Sequence, residues 1–142
     1  MNGFNIDTLA AAPSASLILL HPATQEPLAG PDGPATIDHY APGSPEYAKA
    51  KAKQSDRWLG RLNKRGGKAK QLSAAELDES KADFLADITI GFNNFASQKY
   101  QHLSGRDYHH ALYADPAYGF IVEQFDEQLG DYANFLTTSA KN

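Results

Sequence analysis

The sequence contains no cysteine among its 142 residues. This absence excludes disulfide bonds, thiol catalysis and zinc sites built from cysteine. A chain of this length can bury roughly two-thirds of its unfolded surface in one domain. We therefore expect it to fold without a covalent or metal staple, in a compartment that can be reducing.

Long apolar runs are also missing. The longest clear run, at residues 17–20, is far shorter than the roughly 20 residues that a membrane-spanning helix requires. The N-terminus has no basic start followed by an apolar stretch and a small-residue cleavage site, so no signal peptide is expected. These absences predict a soluble, cytoplasmic protein without a membrane partner.

Motifs of catalysis and cofactor binding are absent as well. The phosphate-binding loop, the dinucleotide-binding glycine pattern, the zinc-protease pattern and the serine-hydrolase elbow do not occur. His109 and His110 are adjacent, so on a helix they point about 100° apart and cannot readily grip one metal. His21 and His39 could meet across a hairpin near Asp38, although turn and strand-end positions explain them more simply. We predict no enzyme activity, no cofactor and no bound metal.

The N-terminal third predicts a short β-hairpin. Residues 16–20 are apolar enough for a strand, and residues 35–40 can pair back on them. Residues 21–34 between them hold four of the eight prolines and therefore form a turn region. The predicted organisation is a flexible arm at 1–14, a single helical domain with an N-terminal hairpin at 15–137 and a frayed tail at 138–142.

Three to four helices are predicted after the hairpin. Ser44-Pro45-Glu46 is a helix start, and that helix is expected to run to about Lys64. Ser73 and Glu76 have capping-box spacing and open a helix expected to continue through Gly91 to about residue 95. Gly91 costs this helix about 1 kcal/mol relative to Ala, so a packing reason is expected there. With further helices near 107–113 and from 115 onward, the fold class is mainly α, of the α+β type.

Two apolar stripes at helical spacing, one on the second helix and one on the last, predict the core. The helix predicted to start at Ser44, which is rich in Lys and Arg and which we call the basic helix, adds an apolar side of its own. Part of a stripe could instead stay exposed as an anchor for a partner. The predicted core residues are Trp58, Leu62, Phe84, Leu85, Ile88, Phe92, Ile121, Phe125 and Leu129.

Charge is distributed unevenly along the chain. Nine of the 13 Lys and Arg lie at residues 49–70 against one acid, Asp56, a net charge of +8, which leaves −12 for the rest of a chain whose total is −4. Such asymmetry predicts an interaction with an acidic surface.

Three interpretations of the basic helix remain open at this point. It is a solvated face that complements the acidic remainder, it docks an acidic protein surface, or it binds nucleic acid. The acidic total charge and the lack of an aromatic stacking platform argue against nucleic acid. We predict an acidic surface on a partner or on a second copy. The predicted partner-binding residues are Arg57, Arg61, Lys64 and Arg65 on the basic helix and Glu123, Asp126, Glu127 and Asp131 on the last helix.

Several short motifs follow one another in a specific order. They are Leu17-Ile18-Leu19-Leu20-His21-Pro22-Ala23-Thr24 with Glu26-Pro27-Leu28, then Gly43-Ser44-Pro45-Glu46-Tyr47, Leu72-Ser73-Ala74-Ala75-Glu76-Leu77, Gly91-Phe92-Asn93-Asn94, Tyr113-Ala114-Asp115-Pro116, Gln124 and Gly130-Asp131-Tyr132-Ala133-Asn134-Phe135-Leu136. In order and spacing they resemble the tail-assembly chaperones of long-tailed (siphovirus-type) bacteriophages, which are also described as minor tail proteins. The resemblance covers roughly residues 16 to 136.

The resemblance implies a helical chaperone in the cytoplasm of the bacterial host. Such a protein binds the tape-measure protein and recruits tail-tube subunits, and it is compatible with a homo-oligomer. A structural minor tail or head–tail connector subunit retained in the virion is the alternative.

The chain departs from the family pattern at four positions. Gln25 replaces a usual Gly in the hairpin turn, and Phe92 and Phe120 stand where Trp is frequent. Tyr132 replaces a usual Arg, which removes a bidentate donor.

Overall fold

Four helices and a small antiparallel sheet make up the described part of the chain, which belongs to the α+β class. The computed structural model describes residues 3–64 and 73–136. The strands are β1 (Ser14–Ile18), β2 (Ala29–Gly30), β3 (Gly33–Pro34), β4 (Thr36–Tyr40) and β5 (Thr89–Asn93). The helices are α1 (Pro45–Lys64), α2 (Ala74–Ile88), α3 (Gly105–Ala114) and α4 (Gly119–Gly130), with 3₁₀ turns at Ile6–Leu9, Pro116–Tyr118 and Tyr132–Phe135.

The capping signals at Ser44 and Ser73 are confirmed. The Ser73 hydroxyl accepts the Glu76 N–H at 3.2 Å, and the Glu76 carboxylate accepts the Ser73 N–H at 3.0 Å, which completes the capping box of α2. The Ser44 hydroxyl likewise accepts the N–H three residues on, at 3.1 Å. Asp115 accepts the N–H two residues on, at 2.9 Å, although it opens a 3₁₀ turn before α4 rather than the helix itself. Local hydrogen bonding therefore fixes these boundaries.

The prediction of a helix through residues 89–95 is wrong, because α2 ends at Ile88 and the chain turns into β5. At the helix end the Thr89 hydroxyl donates to the Leu85 carbonyl oxygen at 2.7 Å. The β-branched pair Thr89 and Ile90 favours a strand. Nothing lies within 4 Å of where a Cβ on Gly91 would be, so the expected packing reason for this glycine is also wrong.

The sheet has the order β1-β4-β5, with β4 in the centre. The strands that the sequence pairs at the N-terminus do lie side by side, from Ser14 opposite Tyr40 to Ile18 opposite Thr36. However, β1 begins two residues earlier than expected, and the small ribbon of β2 and β3 interrupts the connection. β5 completes the sheet by pairing antiparallel with the other edge of β4.

The free edge of β1 is covered by two glutamines of α4. The Gln124 amide accepts the Leu20 N–H and donates to the Leu20 carbonyl oxygen, both at 2.8 Å. One turn later, the Gln128 amide donates to the Ser16 carbonyl oxygen at 3.3 Å. These side chains satisfy backbone groups that an exposed edge strand would leave open to another chain. They also dock α4 against the sheet.

The core lies between the inner face of the sheet and α2, α3 and α4. Five of the predicted core side chains, Phe84, Leu85, Ile88, Ile121 and Phe125, are buried, while Phe92 and Leu129 pack against them and are partly buried. Trp58 was predicted to be core and is not, since it is 38% exposed. The side chain of Leu62 lies outside the described part of the structure.

The N-terminal segment predicted as a flexible arm runs beside the C-terminal 3₁₀ turn. Ala11 pairs with Leu136, and the Tyr132 hydroxyl donates to the Leu9 carbonyl oxygen at 2.7 Å. Tyr132 thus supplies a polar contact at the position where the resemblance expects Arg. Phe4 and Ile6 remain 73% and 68% exposed. The predicted tail at 138–142 lies outside the described residues.

Gln25, which stands where the resemblance expects Gly, adopts a φ of +63°. This left-handed region is costly for a residue with a Cβ. The Gln25 side-chain amide donates to the Pro22 carbonyl oxygen at 3.1 Å, which offsets part of that cost.

Truncation of Phe125 should destabilise the fold strongly. Its side chain is 0% exposed and contacts the rings of His39 and Tyr113. Phe125→Ala should therefore lower the free energy of unfolding by about 3–5 kcal/mol. Chemical denaturation measures this loss. Leu77→Ala is the control, because Leu77 is 55% exposed; equal losses in the two variants would refute the assigned core.

Acid should destabilise the protein through His39, which is 0% exposed. Burial lowers the pKa of His39 below 6.5, although the Tyr40 carbonyl and Asp38 oppose this shift. The Tyr40 carbonyl oxygen can only accept, so Nδ1 carries the proton at 2.9 Å from it, and Nε2 is left to accept from Gln128. Below pH 6.5 the unfolded chain binds a proton that the folded chain resists, so the stability decreases as the pH is lowered.

The measurement is the melting temperature as a function of pH. Burial also lowers the pKa of His109, so His39→Leu should reduce the loss between neutral and mildly acidic pH without abolishing it. His102→Gln, at an exposed position, is the control. An unchanged pH profile in His39→Leu would contradict the assignment.

Candidate partner-binding surfaces

An apolar cleft of about 460 Å³ opens between the β2–β3 ribbon, the segment at 94–99 and the start of α4. We refer to it as the apolar groove. Its volume lies within the roughly 300–1,000 Å³ range of ligand pockets. It is lined by Leu19, Leu28, Ala29, Ala35, Asn94, Phe95, Ala96, Ser97, Gln98, Lys99, Leu112, Tyr118, Phe120 and Ile121.

Four of the five polar residues that line the apolar groove come from the segment at 94–99. Ser97 lines it, and the Ser97 Oγ is buried without a hydrogen-bond partner among the described residues. The Ser97 N–H is already used, because it donates to the Tyr108 hydroxyl at 2.7 Å. The groove therefore suits apolar side chains that bring at most one or two hydrogen-bonding groups.

Asp115 accepts hydrogen bonds from several groups at the edge of the apolar groove beside Lys99. Its carboxylate accepts from the Lys99 ammonium at 2.8 Å, the Tyr100 hydroxyl at 2.7 Å and the Ala117 N–H at 2.9 Å. These donors lower the pKa of Asp115 to about 2. The carboxylate thus fixes the segment at 94–100 relative to the turn before α4, which keeps the groove open.

A cluster of charged residues joins α1, α2 and α3. Arg106 of α3 donates to Asp87 at 2.7 Å and to Asp83 at 3.1 Å. Arg57 of α1 approaches the same two carboxylates at 3.4 and 3.8 Å. Arg57 Nη1 donates to Asp87 Oδ2 at 3.4 Å, whereas its Nε and Nη2 atoms are buried without hydrogen-bond partners among the described residues. We refer to Arg57, Asp83, Asp87 and Arg106 as the charge cluster.

Three potential metal ligands border the charge cluster. The ligand atoms of Glu79, Asp83 and His110 lie within 4.8 Å of one another. The His110 Nε2 is 3.0 Å from Glu79 and 3.3 Å from Asp83. Arg57 and Arg106 already neutralise Asp83, which disfavours a dication there. His21 and His39 do not form a site, because His39 is buried whereas the exposed His21 accepts the N–H groups of its own turn.

The predicted basic partner-binding residues divide into two groups. Arg57 faces α2, and Arg61 donates to the Glu76 carbonyl oxygen of the same helix at 3.2 Å. Lys64 is exposed, and Arg65 lies outside the described residues. Arg57 therefore pairs with carboxylates of its own chain and Arg61 with a backbone carbonyl of α2, and their binding to a partner stays a prediction.

The predicted acidic residues on and after α4 are exposed. Asp126 pairs with Lys81 at 2.7 Å, and Asp131 accepts the Ala133 N–H at 3.1 Å. Glu123 and Glu127 face solvent. Among the described residues, no ion pair links these acids to the predicted basic set.

The apolar groove escaped sequence analysis because its walls come from four distant segments. The available signal was the position of Leu28 and Tyr118 next to proline-rich turns, which does not reveal a shared cleft.

Within the described residues, no helix combines the length and apolarity needed to cross a bilayer.

Reversal of the charge on Arg57 should destabilise the protein. In Arg57→Glu a carboxylate would face Asp83 and Asp87, so the free energy of unfolding should fall by about 1–3 kcal/mol. Lys53→Glu, one turn earlier at an exposed position, should change it by less than about 0.5 kcal/mol. Urea denaturation of both variants measures the difference. Equal effects would show that Arg57 is an ordinary solvated side chain.

No protein-family model, no curated protein and no solved structure matches this chain. The resemblance to tail-assembly chaperones accordingly rests on the short motifs alone. The arrangement of side chains in the apolar groove carries the functional proposal.

Proposed function

We propose that this protein is a phage tail-assembly chaperone that binds the tape-measure protein in the apolar groove and recruits tail-tube subunits. It acts by reversible burial of apolar surface and has no catalytic role. It works in the cytoplasm of the bacterial host, before the tail is complete. The N-terminal hairpin followed by helices serves in this proposal as the frame of the groove.

The apolar groove is the observation that carries the proposal. Its aromatic lining includes Phe95, Tyr118 and Phe120, which are only partly buried by the chain itself. A partner helix that places apolar residues at i, i+3 or i+4, and i+7 could insert them between these rings. A chaperone must release its client, and an open groove of limited size suits a reversible contact.

Several of the motifs that carry the resemblance contribute residues to the lining of the apolar groove. Leu28 follows Glu26-Pro27, and its side chain lines the groove. Phe120, where the family often has Trp, lines it too and keeps an aromatic ring at that position. Phe95 follows the Gly91-Phe92-Asn93-Asn94 motif directly. The proposal therefore gives these motifs one common role beyond folding.

The test is co-expression of the chain with the tape-measure and tail-tube proteins of the same phage, followed by pull-down. Ala29 lines the groove and is exposed, so Ala29→Arg should obstruct it without disturbing the core. We expect the wild type to retain the tape-measure protein and Ala29→Arg to lose at least about tenfold in affinity. Ala75→Arg, also at an exposed alanine, is the matched control.

Two outcomes would contradict the proposal. One is that the tape-measure protein is not captured, or is captured equally well by Ala29→Arg at an unchanged melting temperature. The other is that the chain is found at fixed stoichiometry in purified particles, which would identify it as a minor tail or head–tail connector subunit.

A further inference from the structure

The outward edge of β1 is only partly covered by α4. In an antiparallel pair, the backbone groups of successive residues point alternately towards and away from the neighbouring strand. The Leu19 N–H donates to the Ala35 carbonyl oxygen at 3.0 Å, so the odd-numbered residues here face the β4 side and the even-numbered ones face outward. The two glutamines of α4 bind the outward groups of Leu20 and the carbonyl oxygen of Ser16. Ile18 lies midway between these two positions.

The backbone N–H and carbonyl groups of Ile18 are left open. Neither group forms a hydrogen bond among the described residues, and Ile18 is 49% exposed. One residue of a neighbouring antiparallel strand would satisfy both groups, because such a pair exchanges two hydrogen bonds. Unpaired edge groups of this kind are a template for another chain. The fold therefore presents one donor and one acceptor, side by side, to an extended peptide.

A cleft of about 330 Å³ separates this part of β1 from α4. Ile18 lines one wall, and Glu127 and Asp131 line the other. We refer to it as the edge cleft. The two acids are four residues apart and therefore lie on the same side of α4 and its end. Open backbone groups and two carboxylates thus share one cleft.

The edge cleft is negatively charged. None of its lining residues is a Lys, Arg or His. Glu127 and Asp131 are both exposed, and within the described residues neither forms an ion pair. Asp131 uses one carboxylate oxygen to accept the Ala133 N–H at 3.1 Å. The charge of the cleft is therefore available to a cation from outside.

We infer that the edge cleft binds a short, extended, basic segment of a partner protein. One residue of that segment exchanges two backbone hydrogen bonds with Ile18. An adjacent arginine pairs with Glu127 and Asp131, since its planar fork of donors matches carboxylates better than an ammonium does. The backbone bonds hold the segment, and the charges orient it and speed association.

The glutamines that flank Ile18 limit how much of a partner strand can pair. Ser16 and Leu20 are about 13 Å apart along an extended strand. The side-chain amides of Gln124 and Gln128 occupy the edge at these two positions. A bound segment therefore pairs only across the interval between them, which gives a brief and reversible contact and prevents continuous strand addition.

A second copy of this chain fits the edge cleft less well. Two β1 edges paired at Ile18 would bring Glu127 and Asp131 of both copies together, and like charges repel. The lysines of α1 belong to a helix, whose interior backbone groups are already paired. Nucleic acid is also excluded from the cleft, because the same carboxylates repel phosphates.

The inference goes beyond the proposed function and does not depend on it. The edge cleft shares no residue with the apolar groove. Capture of the tape-measure protein and binding at the edge cleft can therefore succeed or fail separately, and Ala29→Arg distinguishes them.

The probe is a fluorescent peptide of about six residues in which Thr and Arg alternate, so that the arginines share one face of the strand. One control peptide has Glu in place of Arg. The other keeps the arginines and carries a methyl group on every backbone nitrogen, which removes its backbone donors. Fluorescence anisotropy measures the affinities. We expect the Arg peptide to bind at least about tenfold more tightly than either control.

Hydrogen exchange measured by NMR locates the backbone contact. The open Ile18 N–H should exchange rapidly in the free protein, and saturating Arg peptide should slow it at least about tenfold. The Leu20 N–H, which already donates to Gln124, should change less.

Matched variants locate the charged contact. Glu127→Gln combined with Asp131→Asn removes both charges, and Asn still caps the turn that follows. This variant should bind the Arg peptide at least about tenfold more weakly at an unchanged melting temperature. Glu123→Gln is the control, because Glu123 is exposed on α4 outside the edge cleft. Neither it nor Ala29→Arg should change the affinity.

Four results would overturn the inference. They are no binding of the Arg peptide, equal binding of either control peptide, unchanged exchange at Ile18, and full affinity in the variant that lacks both charges. Loss of binding in Ala29→Arg would instead move the site to the apolar groove. Slower exchange at Ile18 on raising the protein concentration alone would replace the partner segment by a second copy.

Discussion

Two aspartates one turn apart on α2, Asp83 and Asp87, receive an arginine from each neighbouring helix, and this charge cluster governs how the helices sit. Arg106 binds both carboxylates through short hydrogen bonds, and Arg57 approaches them from the other side. In the second half of α1 few apolar side chains point towards α2, and the next residue that does so after Arg57 is Arg61. The second half of α1 is therefore held to α2 by its charges, and Leu59 on the opposite side is left 50% exposed.

The α1–α2 pair and the rest of the molecule contribute differently to the core. The sheet, α3 and α4 share one core around Phe125 and His39, and they enclose the apolar groove on their surface. Helix α2 adds Phe84, Leu85 and Ile88 to that core, whereas α1 adds mainly Tyr47 and Ala50. The second half of α1 is held to α2 by charged side chains instead.

The sequence predicts what local chemistry decides and fails where distant segments decide. The caps at Ser73 and Asp115 are correct because a side chain and a nearby N–H are enough to form them. β5 was missed, because Phe92 satisfies both helical and strand spacing and outweighed the β-branched pair Thr89 and Ile90; pairing with β4 then favours the strand. Trp58 was assigned to the core because it falls on the same side of the helix as Tyr47, but in the structure it lies beside Leu77 and stays 38% exposed. The apolar groove depends on four segments whose proximity no spacing encodes.

The orientation of α1 can be measured most directly through introduced thiols, because the chain has no cysteine of its own. Leu59→Cys places a single thiol on the solvent side of α1, where Leu59 is 50% exposed, and Ala50→Cys places one at a position that is 2% exposed. The thiol at 59 should react with an aromatic disulfide reagent nearly as fast as in the unfolded chain, and the thiol at 50 at least about a hundredfold more slowly, since it must wait for local opening. Fast reaction at 50 with protection at 59 would show that α1 lies the other way round, with the arginines in solvent.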